Sequence, residues 1–484
     1  MLDLPFHSAT ALAAAIRDKT ISSVELLEMF LTRVEKHNPA LNAIVCTAIP
    51  AARERAKAAD DALARGDIWG PLHGLPMTIK ESFDVVGLPT TWGVPELREN
   101  HPPRNAIAVE RFLAAGAVLF GKTNVPLHLA DWQTFNAIYG TTNNPWDLAR
   151  SPGGSSGGSA AALAAGLTAL EAGSDIGASI RNPAHYCGIF GHKPTWGICP
   201  PRGQALPDIV APTDISVVGP MGRSAEDLDL ALGIMAGADD IDGSGWRLEL
   251  PAPRRSTLRE LKVAVLLTDR NSEVDETVQG HVNAVAQFLE GSGATVSYDA
   301  FPVFDRDESH RVYIALLRAA TSGRQTAAAF RANAELAGRL DPADQSYLAQ
   351  MMRANVMAHR DWLAVNNKRH HLRLAWAEFF RDWDVLICPA AASAACPHDH
   401  VGERHERTIL VNGRRVPTTD QLFWAGLSGV AYLPSTVAPA GFTAEGLPVG
   451  VQIVGPQYGD RTCIWLARQL EEKFQAFVAP PGYH

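Results

Sequence analysis

"SPGGSSGGSAAALAAG", residues 151–166, admits several readings, and each implies a different architecture. Its first nine residues are four serines, four glycines and one proline, and an alanine-rich run follows at once. A flexible Gly/Ser linker sits among polar residues between domains. This stretch instead runs into "AAALAAGLTAL", apolar enough to be buried and small enough for close backbone approach. Gly153-Gly154-Ser155-Ser156-Gly157 also fits G-x-S-x-G, the nucleophile elbow, which needs a strand before the serine. The preceding "NNPWDLARSP" carries two prolines and several turn residues, so it cannot be a central strand. What remains is a rigid, packed loop. Its glycines permit unusual backbone angles, and its serines supply hydroxyls and local hydrogen bonds.

Working outward, "GAVLFGKT" (116–123) matches the P-loop pattern letter for letter. That motif needs a flexible loop opening a helix at the lysine. Ala-Val-Leu-Phe prefers a buried strand and Pro126 follows soon after, so ATP binding is excluded on mechanical grounds. Upstream, "LPMTIKESFDV" delivers Lys80 at the end of a short apolar strand. A solvated surface lysine is the ordinary reading of a lone lysine. A lysine buried in an apolar site loses proton affinity and becomes a usable general base. Downstream, "GSDIGASIR" (173–181) places Ser179 behind a glycine-containing turn whose successive amides can form an anion nest. Asp175 and Arg181 flank that turn and are placed to pair across it, or to sit in solvent.

Composition bounds the alternatives. The chain has 484 residues, 46% of them hydrophobic and 20% charged, with a formal charge of −9. No basic stripe offers a nucleic-acid surface. No stretch reaches the ~20 apolar residues of a membrane span. The N-terminus carries Asp3 where a secretory leader needs positive charge, and its apolar run stops at Arg17. Six cysteines form no C-x-x-C pair, which reads as reduced thiols of a cytoplasmic protein. "CPHDHVGERH" and "KRHH" are rich in histidine but match no standard metal spacing, so no metal and no cofactor are expected.

The element pattern is α/β. Ser22 and Glu25 form a capping box opening a helix, and residues 51–65 read as another. "AVERFLAAGAVLFGKTN" reads as helix, turn and strand. "ELKVAVLLTD", "VDETVQGHVNAVAQFLEGSG" and "ATVSYDAFP" make a strand–helix–strand unit. "WDVLICPAA" and "GLPVGVQIVGP" are later strands, and "DRTCIWLARQLEEKF" is a closing amphipathic helix. Residues 307–383 carry helical pattern, 238–258 form the best surface connection, and "SDIGASIRNPAHYCGIFGHKPT" reads as Gly-rich loop. Strands scattered from early to late predict one large unit over residues 1–484 rather than separable domains.

Taken together, the Gly/Ser loop, the serine 24 residues beyond Ser155 and the upstream strand-terminal lysine closely resemble the amidase signature family. The likeness runs through "SPGGSSGGSAAALAAGLTALEAGSDIGASIRNPAHYCGIFGHKPTWG". It extends to "LHGLPMTIKESFDV", "GAVLFGKTNVP", "WDVLICPAA" and "GLPVGVQIVGPQYGD", with a signature core at about 70–225. The resemblance implies an α/β/α domain with a large mixed, twisted sheet clad in helices. It implies a catalytic triad of Lys80, Ser155 and Ser179, with Ser179 the nucleophile and Ser155, after a cis peptide bond, the bridge to Lys80. Ser156 would support the network, and the amides of Ile176, Gly177, Ala178 and Ser179 would form the oxyanion hole. The family commonly has Gly-Gly-Ser where this chain has Gly177-Ala178-Ser179. If position 178 needs positive φ, alanine is strained there.

The implied activity is hydrolysis of a carbon–nitrogen bond in a linear amide, extending to aryl amides, carbamates (urethanes) or esters, through an acyl-enzyme. Its partner would be a small amide or carbamate, with no nucleic acid and no membrane, and a homodimer is compatible. The rival functions are the glutamine-hydrolysing subunit of a tRNA-dependent amidotransferase and a non-catalytic binding protein on the same fold. The amidotransferase class tends to read Asp-Thr-Gly-Gly-Ser where this chain has "DIGAS". A Ser-His mechanism using His73, His128, His185 or His192 is the rival chemistry. Leu127, Trp132, Gln133, Tyr139 and the 307–383 segment are the candidate pocket walls. Trp362, Trp376 and Phe379 in that segment read as an apolar pocket or as core.

Overall fold

A computed structural model describes residues 4–483. Eleven strands build its two principal sheets. A three-stranded sheet joins β1 (Ile44–Thr47), β2 (Pro76–Lys80) and β3 (Val118–Thr123), with β3 in the centre and β2 parallel to it. The larger sheet has eight strands, and all of them follow the serine loop in the chain. Its members are β4 (Glu171–Asp175), β5 (Phe190–Lys193), β6 (Val217–Gly222), β7 (Lys262–Val265), β8 (Thr295–Ser297), β9 (Val385–Pro389), β10 (Ser435–Phe442) and β11 (Pro448–Val454). Their order is β8-β7-β9-β11-β10-β5-β6-β4. Pairing is parallel through β8-β7-β9 and antiparallel from β9 to β4, so the sheet is mixed and helices surround it.

The parallel end comes from the strand–helix–strand unit read in the sequence. Helix Glu276–Gly291, capped by Asp275, carries the chain from β7 back to β8, as parallel pairing requires. The capping box at Ser22 and Glu25 is present, opening helix Ser23–Leu41. "GAVLFGKT" is the buried strand β3, and Lys122 spends its ammonium on Pro89 O and, at 2.9 Å, on Thr90 Oγ1. Residues 306–382 are mostly helical, in four segments (Arg306–Thr321, Ala327–Arg339, Tyr347–Asn355 and His359–Asp382). All six cysteines are free thiols. No helix among the described residues is long and apolar enough to cross a membrane.

The loop expected over "SDIGASIRNPAHYCGIFGHKPT" is replaced by a short helix, Arg181–Cys187, and the strand β5. Every residue of both is buried, so neither carries the alternating pattern by which a half-exposed element is recognised. Gly188, at φ +69°, ends the helix in the left-handed conformation. The same total burial holds for helix Gly157–Ala164, which follows the serine loop. A Cβ on Gly158 would run into the backbone of Asn124, so this helix packs against the three-stranded sheet only with glycine there.

Candidate active site

Two sheets deliver the site. β2 ends on Lys80 and β4 ends on Ser174 and Asp175, and the serine loop lies between them. The strands are tied together by Thr78, whose amide donates to Thr168 Oγ1 at 2.9 Å and whose hydroxyl donates to Glu171. Alternation along β2 turns Lys80 to the interior, where it is wholly buried. Its Nζ lies 2.7 Å from Ser155 Oγ, 2.9 Å from Ser156 Oγ and 3.0 Å from Ser174 Oγ. Among the described residues, no carboxylate stands in that shell. Burial holds the amine well below the ordinary 10.5, outweighing the opposing field of Asp175, with Arg324 adding to the effect.

The Gly154–Ser155 peptide bond is cis. Ser156 donates its amide to Ser179 O at 3.1 Å, which stitches the serine loop to the turn after β4. That turn is organised by Asp175. Its carboxylate takes the amides of Ala178 and Ile180 at 2.9 and 3.0 Å and a two-point contact from Arg181 at 2.8 and 3.0 Å. Burial alone would raise the Asp175 carboxyl, but the Arg181 guanidinium and these donors hold it below its usual value. Arg181 in turn reaches Ser428 Oγ at 3.0 Å and Gln452 Oε1 at 2.7 Å, anchoring the turn to β11. The pairing of Asp175 with Arg181 is thus the buried one of the two readings.

The oxyanion amides divide. The Ala178 amide is spent on Asp175 at 2.9 Å, which removes it from the four expected donors. A trans peptide points its carbonyl and N–H in opposite directions. Tyr313 Oη donates to Ile176 O at 2.9 Å, so the Gly177 amide points the other way. Asn182 donates its amide to Ala178 O at 2.7 Å and so orients the Ser179 amide. Trp132 Nε1 donates to Gly177 O at 2.5 Å, turning the Ala178 amide to Asp175. Ala178 itself sits at φ +69°, the strained branch of the two considered for it.

Ser179 opens onto a cavity of about 260 Å³ whose wall includes Ile176, Gly177, Trp132 and His128. No hydrogen bond links Ser179 Oγ to Ser155 Oγ among the described residues. Of the expected pocket walls, Trp132 and the 307–383 segment, through Leu317 and Thr321 among others, line this cavity, while three others stand elsewhere. Leu127 is about half exposed, the Gln133 amide is committed to the backbone of Asp399 at 2.6 and 2.9 Å, and Tyr139 Oη contacts Cys46 Sγ at 3.3 Å. Trp376 and Phe379 pack in an aromatic core with Phe380, and Trp362 packs against that core. His73, His185 and His192 bond to Ala59 O, to Ser393 O and to Asp460 respectively, leaving His128 as the one of the four histidines on the cavity.

Sequence reading missed Ser174, Gln204 and Tyr313. Gln204 donates to Ser174 Oγ at 3.1 Å and to Ser82 Oγ at 3.0 Å, closing the shell behind Lys80. Alternation in "GSD" separates Ser174 from Asp175 and was a usable signal; an isolated glutamine and a tyrosine in a helical run carry none.

The profile of the Amidase family matches residues 25–464. The chain belongs to the amidase family. Among curated relatives, the indoleacetamide hydrolase of Bradyrhizobium diazoefficiens is 33% identical over 96% of this chain and 86% of its own length. A glutamyl-tRNA(Gln) amidotransferase subunit from a Synechococcus strain is 31% identical, covering 95% of each chain. Among solved structures, a 6-aminohexanoate cyclic dimer hydrolase superposes with a TM-score of 0.80 at 28% identity, covering 100% of both chains. A bacterial aryl acylamidase of the amidase signature family shares the fold, with a TM-score of 0.82 at 24% identity over 97% of this chain and 96% of its own.

Proposed function

We propose that this amidase-family chain hydrolyses the carbon–nitrogen bond of linear amides with Ser179 as nucleophile, Ser155 as proton relay and Lys80 as base. Aryl amides, carbamates and esters fall within the same chemistry. The observation that carries the reading is the enclosed Lys80 amine with three hydroxyls around it and, among the described residues, no carboxylate. An ammonium has three donors and no lone pair, whereas a neutral amine has two donors and one lone pair. Burial favours the neutral form, whose lone pair accepts the Ser155 proton while its two N–H groups bond to Ser156 and Ser174.

As substrate enters, the Ser179 hydroxyl closes onto Ser155, a tightening that apo sites commonly leave until the complex forms. Ser179 Oγ attacks the carbonyl carbon, its proton passes to Ser155, and the Ser155 proton passes to Lys80. The Ile176, Gly177 and Ser179 amides are the donors left to receive the oxyanion, each strong donor supplying ~3–4 kcal/mol in comparable sites. The relay then runs backwards to protonate the leaving nitrogen, and water repeats the cycle on the acyl-enzyme.

The second reading, a glutamine-hydrolysing subunit, is favoured by the 31% identity to glutamyl-tRNA(Gln) amidotransferase chains. A panel of aliphatic amides, anilides, carbamates, esters and glutamine, run on the purified single chain and on Ser179→Ala, separates the two. Turnover by the parent alone, falling by ~10³ or more in the variant, supports the free-standing amidase. Turnover of glutamine only, and only with a partner added, favours the second reading. Equal rates for the two proteins would remove Ser179 from the reaction.

A further inference from the structure

The hydrolytic groups leave the charge of the cavity unexplained. Arg318, Arg324 and Arg404 all line it. None of the three is ion-paired to a carboxylate among the described residues. The wall's acid, Asp131, is already held by Arg407 at 2.6 Å. Arg318 lies over the Tyr347 ring at 5.4 Å and donates to its hydroxyl, while its buried Nε has no partner among the described residues. Arg324 donates to His128 O at 2.9 Å and lies over Trp92 at 5.3 Å. Arg404 lies over Trp132 at 6.0 Å.

Aromatic faces and one carbonyl position these guanidiniums without neutralising them. Three like charges on one small cavity repel one another, and each is partly desolvated. Burial lowers the proton affinity of Arg318 to about 9, with the fields of Arg404 and Arg324 adding to it, and burial lowers that of Arg324 to about 10. An entering anion would relieve this cost, and a planar fork of N–H donors suits a carboxylate. At about 260 Å³ the cavity admits a small molecule.

We propose that the substrate is an anionic amide, a small molecule whose carboxylate is held by Arg318, Arg324 and Arg404 while its amide carbonyl meets Ser179. This rests on the amidase reading above. The carboxylate is carried by the acyl part or by the leaving amine, and the two sources are distinguished by paired substrates. Succinamate against succinamide places the charge on the acyl side, and N-acetylglycine against N-propylacetamide places it on the leaving side.

The expected result is that one anionic member exceeds its neutral partner in kcat/KM by about ten- to a hundredfold, the span of one or two charge-assisted hydrogen bonds. Arg318→Met and Arg404→Met should collapse that ratio, mainly through KM. A ratio near one in the parent, or one that both variants leave intact, overturns the proposal. Binding of succinate to Ser179→Ala, followed by calorimetry, supplies a readout independent of turnover. Submillimolar binding, weakened about tenfold or more by Arg318→Met, supports the site; its absence counts against it. Neutral amides hydrolysed in a Ser179-dependent way without any anionic preference would keep the amidase reading and remove this one. No turnover of any amide, with succinate still bound, would remove the amidase reading and keep the anion site.

Discussion

Lys80 is held in a place where an ammonium is poorly accommodated, and that has consequences for both rate and stability. Its folded pKa lies below the unfolded value near 10.5. Between those two values the unfolded chain binds more protons than the folded one, so this residue makes stability rise with pH across that window. Lys80→Met should therefore flatten the rise of the unfolding free energy with pH while leaving the fold intact, as chemical denaturation at a series of pH values would record. In the same variant kcat should fall by ~10²–10⁴, the usual contribution of a positioned base. For the parent, the rate should climb as pH passes upward through the folded lysine pKa, since only the neutral amine accepts a proton. Ala178, which shares this site, accepts φ +69° where glycine would be unstrained. The three bonds that fix the adjoining peptides, from Tyr313, Trp132 and Asn182, over-determine that conformation.

Among the secondary-structure elements, the helix Arg306–Thr321 lines the cavity with Leu317, Arg318 and Thr321 and holds the turn after β4 through the Tyr313 hydroxyl. Tyr313→Phe leaves the Ile176 carbonyl without its donor and frees the Gly177 amide to rotate. A fall of about tenfold in kcat is expected, with stability lowered by ~1–3 kcal/mol for the unsatisfied carbonyl; unchanged kcat would remove the Gly177 amide from the oxyanion hole. A second test sits on the seam between the sheets. Glu171 of β4 accepts from Thr78 of β2, and burial raises its carboxyl to about 8, well above the ordinary 4.5. The folded state therefore holds a proton that the unfolded state releases, and the stability this contributes is complete below 4.5 and lost as pH rises through 8. Glu171→Gln imitates the protonated acid and should gain on the parent as pH is raised from about 5 to about 8.5, by on the order of 3 kcal/mol.

These elements also show what could be read beforehand. Strands with clear edges, such as β2, β3, β7 and β9, and the capped helices were legible because part of each pattern faces water or a turn residue marks its end. The Lys80, Ser155 and Ser179 assignments came from motif resemblance. Burial as such was invisible around them: the helix Arg181–Cys187 and strand β5 have no exposed face, so no period betrays them. Arg318 and Arg324 lie six residues apart in the 307–383 segment expected to wall the pocket, but their helical pattern does not show which side chains turn inward, and Arg404 reaches the same wall only through tertiary folding.

For the whole molecule, the site exists only where two sheets, the serine loop and the helical segment 306–382 converge. Lys80 comes from one sheet, Ser174 and Asp175 from the edge of the other, and Arg181 ties that edge to β11 through Gln452. The family profile spans residues 25–464 and so includes every one of these parts. In the proposed chemistry the base from the first sheet activates a nucleophile beyond the second. Labelling with a serine-directed phosphonate, located by peptide mass spectrometry and timed in the parent and in Lys80→Met, reads out that activation. A single adduct on Ser179 is expected, formed at least about a hundredfold more slowly in the variant. An adduct on Ser155 or Ser156, or labelling of Ser179 at the same rate in both proteins, would contradict it.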